Sequence, residues 1–205
     1  MKKQTLTALI FFSLAFLSLI VTFSFAERDN LYDSVIRIHV LANSDEKEDQ
    51  EKKLLVRDKI LLYAENNLKE TKNRETAKVE ILENMDEIKT LAEETLRKEG
   101  CNDAVSVELT EEYYPTRHYD SFSLPSGSYL SLKVMLGEAK GQNWWCVLFP
   151  PICLSSATTT ENALYDAGMK KENVETVIGA KKGYKIRFKV LEIAEETRKK
   201  LAELF

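Results

Sequence analysis

The chain has 205 residues, of which 44% are hydrophobic and 30% charged, and its formal net charge at pH 7 is −4. That length suits one globular domain, or one domain with an appendage, with a core large enough to fold without disulfides. The acidic balance argues against nucleic acid or an anionic membrane surface as the partner.

The first 26 residues have the anatomy of an export signal. Lys2 and Lys3 precede an apolar run over residues 6–25, and Ser24-Phe25-Ala26 forms a small-x-small cleavage site. The run also approaches the roughly 20 residues that span a bilayer, so an uncleaved anchor helix is the alternative. Residues 1–26 are therefore predicted to be a signal peptide or a signal anchor, and residues 27–205 to lie outside the cytoplasm.

The globular part is predicted to begin with a strand followed by a helix. Residues 35–41 alternate as a strand does, with aliphatic side chains on one face and Arg37 and His39 on the other. Ser44 or Asp45 then caps a helix that runs to about Leu68. The apolar side chains expected on its core face are Leu54, Ile60, Leu61, Ala64 and Leu68.

A second long helix is predicted from about Arg74 to Glu99. It ends at Gly100, a residue common just past a helix end. The side chains at core spacing along it are Ile81, Met85, Ile88, Ala92 and Leu96.

Three further strands are predicted over residues 104–109, 129–136 and 144–149. Gly137 and Gly141 flank a short polar loop, so the last two strands are expected to form a hairpin. The fold class is therefore predicted to be α+β. About four strands form a mainly antiparallel sheet packed against two long helices, with a C-terminal helix added.

The domain organisation is predicted as a globular domain over residues 27–154 and a polar linker or insertion over residues 155–183. Residues 184–190 alternate as a strand does, whereas Leu191, Ala194, Leu201 and Leu204 keep helical spacing. Residues 184–205 are therefore predicted to form a strand and then the C-terminal helix.

Residues 143–153, with the sequence NWWCVLFPPIC, hold both tryptophans, two of the three cysteines and two adjacent prolines. Tryptophans serve equally in cores and as interface hot spots, so Trp144 and Trp145 are either core residues or hydrophobic anchors for a partner. Cys146 and Cys153 are close enough in sequence to close a small disulfide loop, the alternative being two buried thiols.

No catalytic or metal-binding motif is found, and no cofactor is predicted. The two histidines, His39 and His118, stand outside the patterns typical of hydrolases and zinc sites. A secreted hydrolase using His118 or His39 with a nearby serine and carboxylate is the alternative to a binding protein. A structural protein of the cell envelope is a third class.

Several motifs together closely resemble the stage II sporulation protein R family of endospore-forming bacteria. The resemblance covers residues 35–154. The motifs are IHVLANSD (38–45), EDQ (48–50), LVRD (55–58), YPT (114–116), LPSGSY (124–129) and GQNWWCVLFPPICL (141–154).

The resemblance implies a signalling domain without enzymatic activity. The protein would be made in the forespore, exported into the space between forespore and mother-cell membranes, and required to trigger a membrane-embedded aspartic protease of the mother cell. That protease cleaves the precursor of sigma factor E. The residues expected at the contact are Trp144 and Trp145 as anchors, with Arg57, Asp58, Asn43 and Asp45 as polar candidates. For Asn43 and Asp45, capping of the first helix is the competing role.

Overall fold

This computed structural model describes residues 10–16, 18, 19, 31–68, 70–153, 157–179, 189, 192, 193, 196, 197 and 200. Residues 10–16, 18 and 19 are helical. Within the described ranges, no helix has the length and apolarity needed to cross a membrane. Most of the expected signal peptide or anchor lies outside the described residues and stays a prediction.

A four-stranded sheet forms the centre of the protein. The strands of this sheet are β1 (Ile36–Leu41), β2 (Val105–Tyr114), β5 (Gly127–Leu136) and β6 (Asn143–Phe149), in the order β2-β5-β1-β6. Two short strands, β3 (Arg117–His118) and β4 (Ser123–Leu124), pair separately. Two of the three neighbouring pairs in the larger sheet are antiparallel, which confirms the predicted α+β class with a mainly antiparallel sheet.

The predicted hairpin of β5 and β6 is wrong, because β1 lies between these strands. β1 runs parallel to β5 and antiparallel to β6. Five of its six residues are buried, so β1 is covered on both faces, as a central strand must be. The loop at residues 137–142 still reverses the chain, but it leads β6 past one further strand instead of directly onto β5.

Five helices accompany the sheet within residues 31–179. Their bounds are α1 (Lys47–Asn67), α2 (Arg74–Glu83), α3 (Met85–Lys98), α4 (Ala157–Asp166) and α5 (Lys171–Gly179). The single helix predicted from Arg74 to Glu99 is in fact α2 and α3, divided at Asn84. The side chain of Asn84 donates from Nδ2 to the Glu80 carbonyl at 2.8 Å, a local hydrogen bond that competes with helix continuation.

The core lies between the aliphatic face of the sheet and helices α1 and α3. Most of the predicted core positions are buried, as are Val56, which was not predicted, and Ala77. Leu54, predicted to face the core, is instead 37% exposed, since the helix turns Val56 and Ile60 toward the sheet.

Residues 155–183, which were predicted to be a polar linker or insertion, contain the helices α4 and α5, whose buried side chains extend the hydrophobic core. From α4, α5 and the turn between them, the buried side chains are Leu164, Ala167, Met169, Val174 and Val177. These apolar residues show no clear helical period in the sequence, because each helix is short and buries only a few side chains. Of the predicted C-terminal helix, residues 192, 193, 196, 197 and 200 are described and all are helical. Residue 189, in the predicted strand over residues 184–190, is helical too, so the strand is wrong at that position, and its other residues lie outside the described part of the chain.

Candidate partner-binding surface

The two tryptophans lie on opposite faces of β6, which is an edge strand of the sheet. Trp144 is paired with Val40 and Trp145 with His39 in the antiparallel register with β1. Because successive side chains of a strand point to opposite faces, Trp144 faces the helices and Trp145 faces the other side. Both are half-buried. The pair therefore presents two separate aromatic surfaces, one on each face of the strand.

Trp145 is surrounded by side chains from three other strands. The Arg117 guanidinium lies 4.1 Å from its ring centroid, in cation–π geometry. The His39 ring centroid is 5.4 Å away and the Tyr114 ring centroid 5.9 Å away. Within the described residues, the buried Nε of Arg117 has no hydrogen-bond partner. We call Trp145, Arg117, His39 and Tyr114 the Trp145 cluster.

His39 connects this cluster to a chain of polar side chains on the same face. Its Nδ1 lies 3.1 Å from Glu112 Oε1 and its Nε2 lies 2.7 Å from Asn143 Oδ1. Burial alone would raise the pKa of Glu112, but hydrogen bonds from His39 and Ser131 and the nearby Lys133 ammonium more than offset it, and the pKa is lowered. The Glu112 carboxylate is thus held in its charged form beside His39.

Arg37 supports the Trp145 cluster from inside the protein. It is fully buried, and its Nε donates to the Cys146 carbonyl at 2.8 Å. Its Nη2 donates to Tyr119 Oη at 2.6 Å, and that hydroxyl in turn donates to the Trp145 carbonyl at 3.1 Å. The guanidinium also stacks 4.2 Å from the Tyr114 ring centroid. Sequence analysis placed Arg37 on the polar face of a strand and gave no sign of this role.

On the opposite face of β6, three predicted contact residues lie together. The Arg57 guanidinium is 4.9 Å from the Trp144 ring centroid, and Arg57 Nε donates to Asp58 Oδ1 at 2.7 Å. Arg57 is half-buried and Asp58 exposed. Each tryptophan of β6 is therefore accompanied by one arginine on its own face, a pairing that residue spacing alone could not reveal.

Asn43 and Asp45 lie in the segment between β1 and α1. Asn43 donates from Nδ2 to Asp49 at 2.8 Å and accepts the Glu138 amide at 2.9 Å, so it joins the start of α1 to the loop before β6. The predicted capping by Ser44 or Asp45 is wrong: Glu46 occupies the N-cap position without a side-chain hydrogen bond, and its amide donates to Ser44 Oγ at 3.2 Å. Asp49 instead accepts hydrogen bonds from Ser44 and Asn43, and these bonds lower its pKa.

Cys146 and Cys153 form a disulfide, with 6.2 Å between their Cα atoms. The Val147 amide also donates to Cys153 Sγ at 3.0 Å. The third cysteine, Cys101, is buried as a free thiol. A groove of about 470 Å³ runs beside the disulfide, lined by Trp145, Tyr119 and the residues around His118. The disulfide thus holds the end of β6 where it borders this groove.

The chemistry expected of a hydrolase is partly present around His118. Its Nδ1 lies 2.8 Å from Ser123 Oγ across the β3–β4 pair. Ser123 is fully buried, whereas His118 is exposed, so the hydroxyl is not accessible to a substrate. Among the described residues, no group of His, Cys, Asp and Glu could hold a metal ion.

Comparison with known proteins places the chain in one family. The family model described as Stage II sporulation protein R matches residues 32–159. The Stage II sporulation protein R of Bacillus subtilis (strain 168) is 33% identical over 178 residues, covering 78% of this chain and 80% of that protein. No solved structure matches the chain. The resemblance drawn from the sequence motifs is confirmed, and the chain belongs to the stage II sporulation protein R family, with a role in sporulation.

Proposed function

We propose that this protein is an exported signal of sporulation that activates a membrane-embedded aspartic protease of the mother cell. The activated protease cleaves the precursor of sigma factor E. The protein acts in the space between forespore and mother-cell membranes, either free or anchored by residues 6–25. It needs no cofactor and catalyses no reaction itself.

The observation that supports a binding role is the arginine stacked on each tryptophan of β6. Tryptophan and arginine are the residues most enriched at interface hot spots. Trp145 with Arg117 and Trp144 with Arg57 are half-buried, so each pair keeps part of its surface available to a partner. Their supports, Arg37 and the disulfide, fix the backbone of β6, which reduces the entropy lost on binding.

Binding can activate the protease only if the signal favours the active arrangement over the inactive one. A ligand shifts such an equilibrium by the difference in its affinity for the two states. We propose that the two arginine–tryptophan pairs contact surfaces of the protease that come together only in its active arrangement. Receptors with identical oligomeric state and conformation in the presence and absence of the protein would contradict this mechanism.

The alternative function is a secreted hydrolase, for which the hydrogen bond between His118 and Ser123 is the supporting observation. The burial of Ser123 weighs against it, since an acyl-transfer nucleophile must reach its substrate. His39 is a weaker candidate, because both its ring nitrogens already face Glu112 and Asn143.

The test is co-expression of this protein, the candidate protease and a tagged sigma-factor precursor in a host that does not sporulate. Cleavage of the precursor is followed on a blot. We expect cleavage only when this protein is present and exported. If cleavage fails although the protease is present and competent, the proposal is wrong.

Variants in the same assay separate binding from catalysis. We expect Trp145→Ala to abolish cleavage and to lose protease binding with an unchanged far-UV circular dichroism spectrum. Tyr113→Ala is the matched control, because it removes an exposed aromatic side chain from β2, the opposite edge strand. His118→Ala should leave cleavage intact. Loss of cleavage in His118→Ala, with binding retained, would favour the hydrolase.

A further inference from the structure

The backbone of the edge strand β6 is held by two side chains from other parts of the chain. The Tyr119 hydroxyl donates to the Trp145 carbonyl at 3.1 Å. The Val147 amide donates to Cys153 Sγ at 3.0 Å, and the Val147 carbonyl oxygen lies 2.9 Å from the same sulfur. Residues two apart in a strand direct their backbone polar groups to the same side. Tyr119 and Cys153 therefore hold neighbouring parts of the edge on which Trp145 lies.

The disulfide keeps the Cys153 sulfur in this position. It joins Cys153, which follows the tandem prolines, to Cys146, which is next to Trp145 in β6 and pairs with Ile38 of β1. Both cysteines and both tryptophans line the groove of about 470 Å³ beside the strand. Without the bond, noncovalent contacts alone would hold the Cys153 sulfur against the edge of β6. The disulfide is therefore part of the surface that includes Trp145.

The two sulfurs of the bond differ in their exposure to solvent. Cys146 is 2% exposed, whereas Cys153 is half-buried. Thiol–disulfide exchange requires that the attacking group can reach the sulfur. An external thiol or disulfide therefore meets Cys153 before Cys146.

We propose that Cys146 and Cys153 form a redox switch that is oxidised only after export and that positions Trp145 for its partner. This inference rests on the proposed function, because it takes the Trp145 surface as the contact with the protease. Thiols in the cytoplasm stay reduced, whereas disulfides form and persist in oxidising spaces outside it. The chain is therefore a dithiol where it is made, and its contact surface is completed in the space where the partner is.

Oxidation of the switch uses an external disulfide as the oxidant. The Cys153 thiolate attacks this disulfide, forms a mixed disulfide with one half of it and displaces the other half as a thiolate. The Cys146 thiolate then attacks the Cys153 sulfur and displaces the second external thiolate. The two cysteines lose two electrons and two protons, and the external disulfide leaves as two thiols.

The order of the two sulfurs is tested by mass spectrometry of the full chain, in uncharged detergent, after addition of glutathione disulfide. All variants carry Cys101→Ser, so that only the cysteines of the switch can react. We expect Cys146→Ser, which keeps Cys153, to acquire one glutathione at least about tenfold faster than Cys153→Ser, which keeps Cys146. Equal rates, or a faster reaction of Cys146, would overturn this mechanism.

Hydrogen exchange tests the effect of the bond on β6 without a partner. Reduction with dithiothreitol should speed exchange of the Val147 amide about tenfold more than exchange of the Val134 amide, because the bond no longer fixes the sulfur that accepts from Val147. Val134 is the internal control, since it lies in β5, between β1 and β2. The same acceleration at both amides would show that the bond affects only global stability, contrary to the proposal.

Binding of the full chain to the candidate protease, measured by biolayer interferometry, tests the effect of the switch on function. The oxidised chain is reduced with dithiothreitol and then reoxidised with glutathione disulfide. We expect reduction to weaken binding at least about tenfold and reoxidation to restore it, with an unchanged far-UV circular dichroism spectrum. Cys101→Ser is the matched control and should show the same cycle, because it keeps both cysteines of the switch.

The possible results separate the switch from the proposed function. Equal affinity of the oxidised and reduced chains would overturn the switch and leave the proposed function standing. An unfolded reduced chain would also overturn it, because the bond would then serve stability and not the position of Trp145. If neither form binds the protease, the proposed function is wrong, and hydrogen exchange decides whether the bond controls β6.

Discussion

Among the residues that the structure describes, Arg37 is the largest fully buried side chain, and it lies on a central strand of the sheet. Burying a charge is costly unless hydrogen bonds and charges compensate for it. Here the compensation comes from the Cys146 carbonyl, the Tyr119 hydroxyl and the faces of tyrosine rings, while Nη1 has no partner in the described part of the chain. Because burying this charge costs free energy, we infer that the role of Arg37 is to fix the positions of Tyr119 and β6.

Replacement of Arg37 should therefore be strongly destabilising. We expect Arg37→Ala to lower the free energy of unfolding by about 3 kcal/mol, because it leaves a cavity and removes the donor to the buried Cys146 carbonyl. Urea denaturation measures the effect. Arg57→Ala is the matched control and should cost less than about 1 kcal/mol, since Arg57 is half-buried and paired with an exposed carboxylate. Equal losses in the two variants would contradict the role given to Arg37.

The lowered pKa of Glu112 predicts that the stability of the protein depends on pH. Its pKa in the folded protein is lowered from the ordinary value of 4.5, so the unfolded chain takes up its proton first as the pH falls. The stability contributed by Glu112 is therefore fully present above about pH 4.5 and is lost as the pH falls through the lower, folded pKa.

The measurement for Glu112 is the free energy of unfolding as a function of pH. We expect Glu112→Gln to flatten the acid side of the profile. His39→Gln should flatten it in part, because it removes one of the donors that lower this pKa. Wild-type and Glu112→Gln profiles that run parallel below pH 5 would show that the carboxylate contributes no such dependence.

At the scale of elements, the loop before β6 packs closely against the segment that leads from β1 into α1. The Gly141 amide donates to the Ala42 carbonyl at 3.0 Å and the Lys140 amide to the Asn43 carbonyl at 3.1 Å, so the loop lies directly on the start of α1. A Cβ added to Gly141 would overlap the backbone oxygen of Ser44. The glycine here permits close approach of two backbone segments.

Gly141→Ala should accordingly cost about 3 kcal/mol, because a backbone atom cannot move aside as a side chain can. Gly100→Ala is the matched control. Gly100 has a φ of +72° but open space around its Cα, so only the cost of the left-handed backbone applies, about 1 kcal/mol. Thermal denaturation of both variants measures the difference. A Gly141 variant no less stable than the Gly100 variant would contradict the close packing of the loop.

The disulfide fastens β6 to the segment beyond the prolines. A loop this short contributes about 2.5 kcal/mol on the chain-entropy model. We expect Cys146→Ser with Cys153→Ser to lose this amount and to become insensitive to reductant. Cys101→Ser keeps the disulfide and should respond to reductant as the wild type does. The measurement is urea denaturation with and without dithiothreitol, and a wild type unaffected by dithiothreitol would contradict the expectation.

Most of the strands and helices could be predicted from the sequence, but not which of them lie next to one another in the fold. Alternation identified β1, β2, β5 and β6, and the 3.6-residue period identified α1. The position of β1 between β5 and β6 could not be read from its residues, because Arg37 and His39 made one face look exposed. The break at Asn84 depends on one side-chain hydrogen bond. The stacking of Arg117 on Trp145 joins β3 to β6. These strands are distant in sequence, so no short motif could predict the contact.

At the scale of the whole molecule, the proposed contact region lies on both faces of β6, an edge strand of the sheet. Trp145 with Arg117 lies on one face and Trp144 with Arg57 on the other. A partner that engages both pairs must therefore cover the edge of the sheet. Such a contact fits the proposed activation, because a protease could meet both pairs only in one of its arrangements.

Export is the whole-molecule property that the proposed function needs. Deletion of residues 2–26 should leave the folded domain stable but abolish cleavage of the precursor in the co-expression assay, because the signal remains on the wrong side of the membrane. The measurement is precursor cleavage together with fractionation of the cells. Cleavage by the truncated protein, found only in the cytoplasm, would show that export is unnecessary.

The position of β1 in the sheet also determines when the sheet can form during synthesis of the chain. Arg37 and Cys146, which hydrogen-bond in the folded protein, are 109 residues apart in the chain, and both sheet partners of β1 come from residues 127–149. Such long-range pairing makes folding slow. While the chain is being synthesised, β1 has no sheet neighbour until β5 is complete at residue 136 of 205, and its second neighbour follows at residue 149. Late closure of the sheet would keep a newly made chain unfolded during translocation, as the proposed export requires.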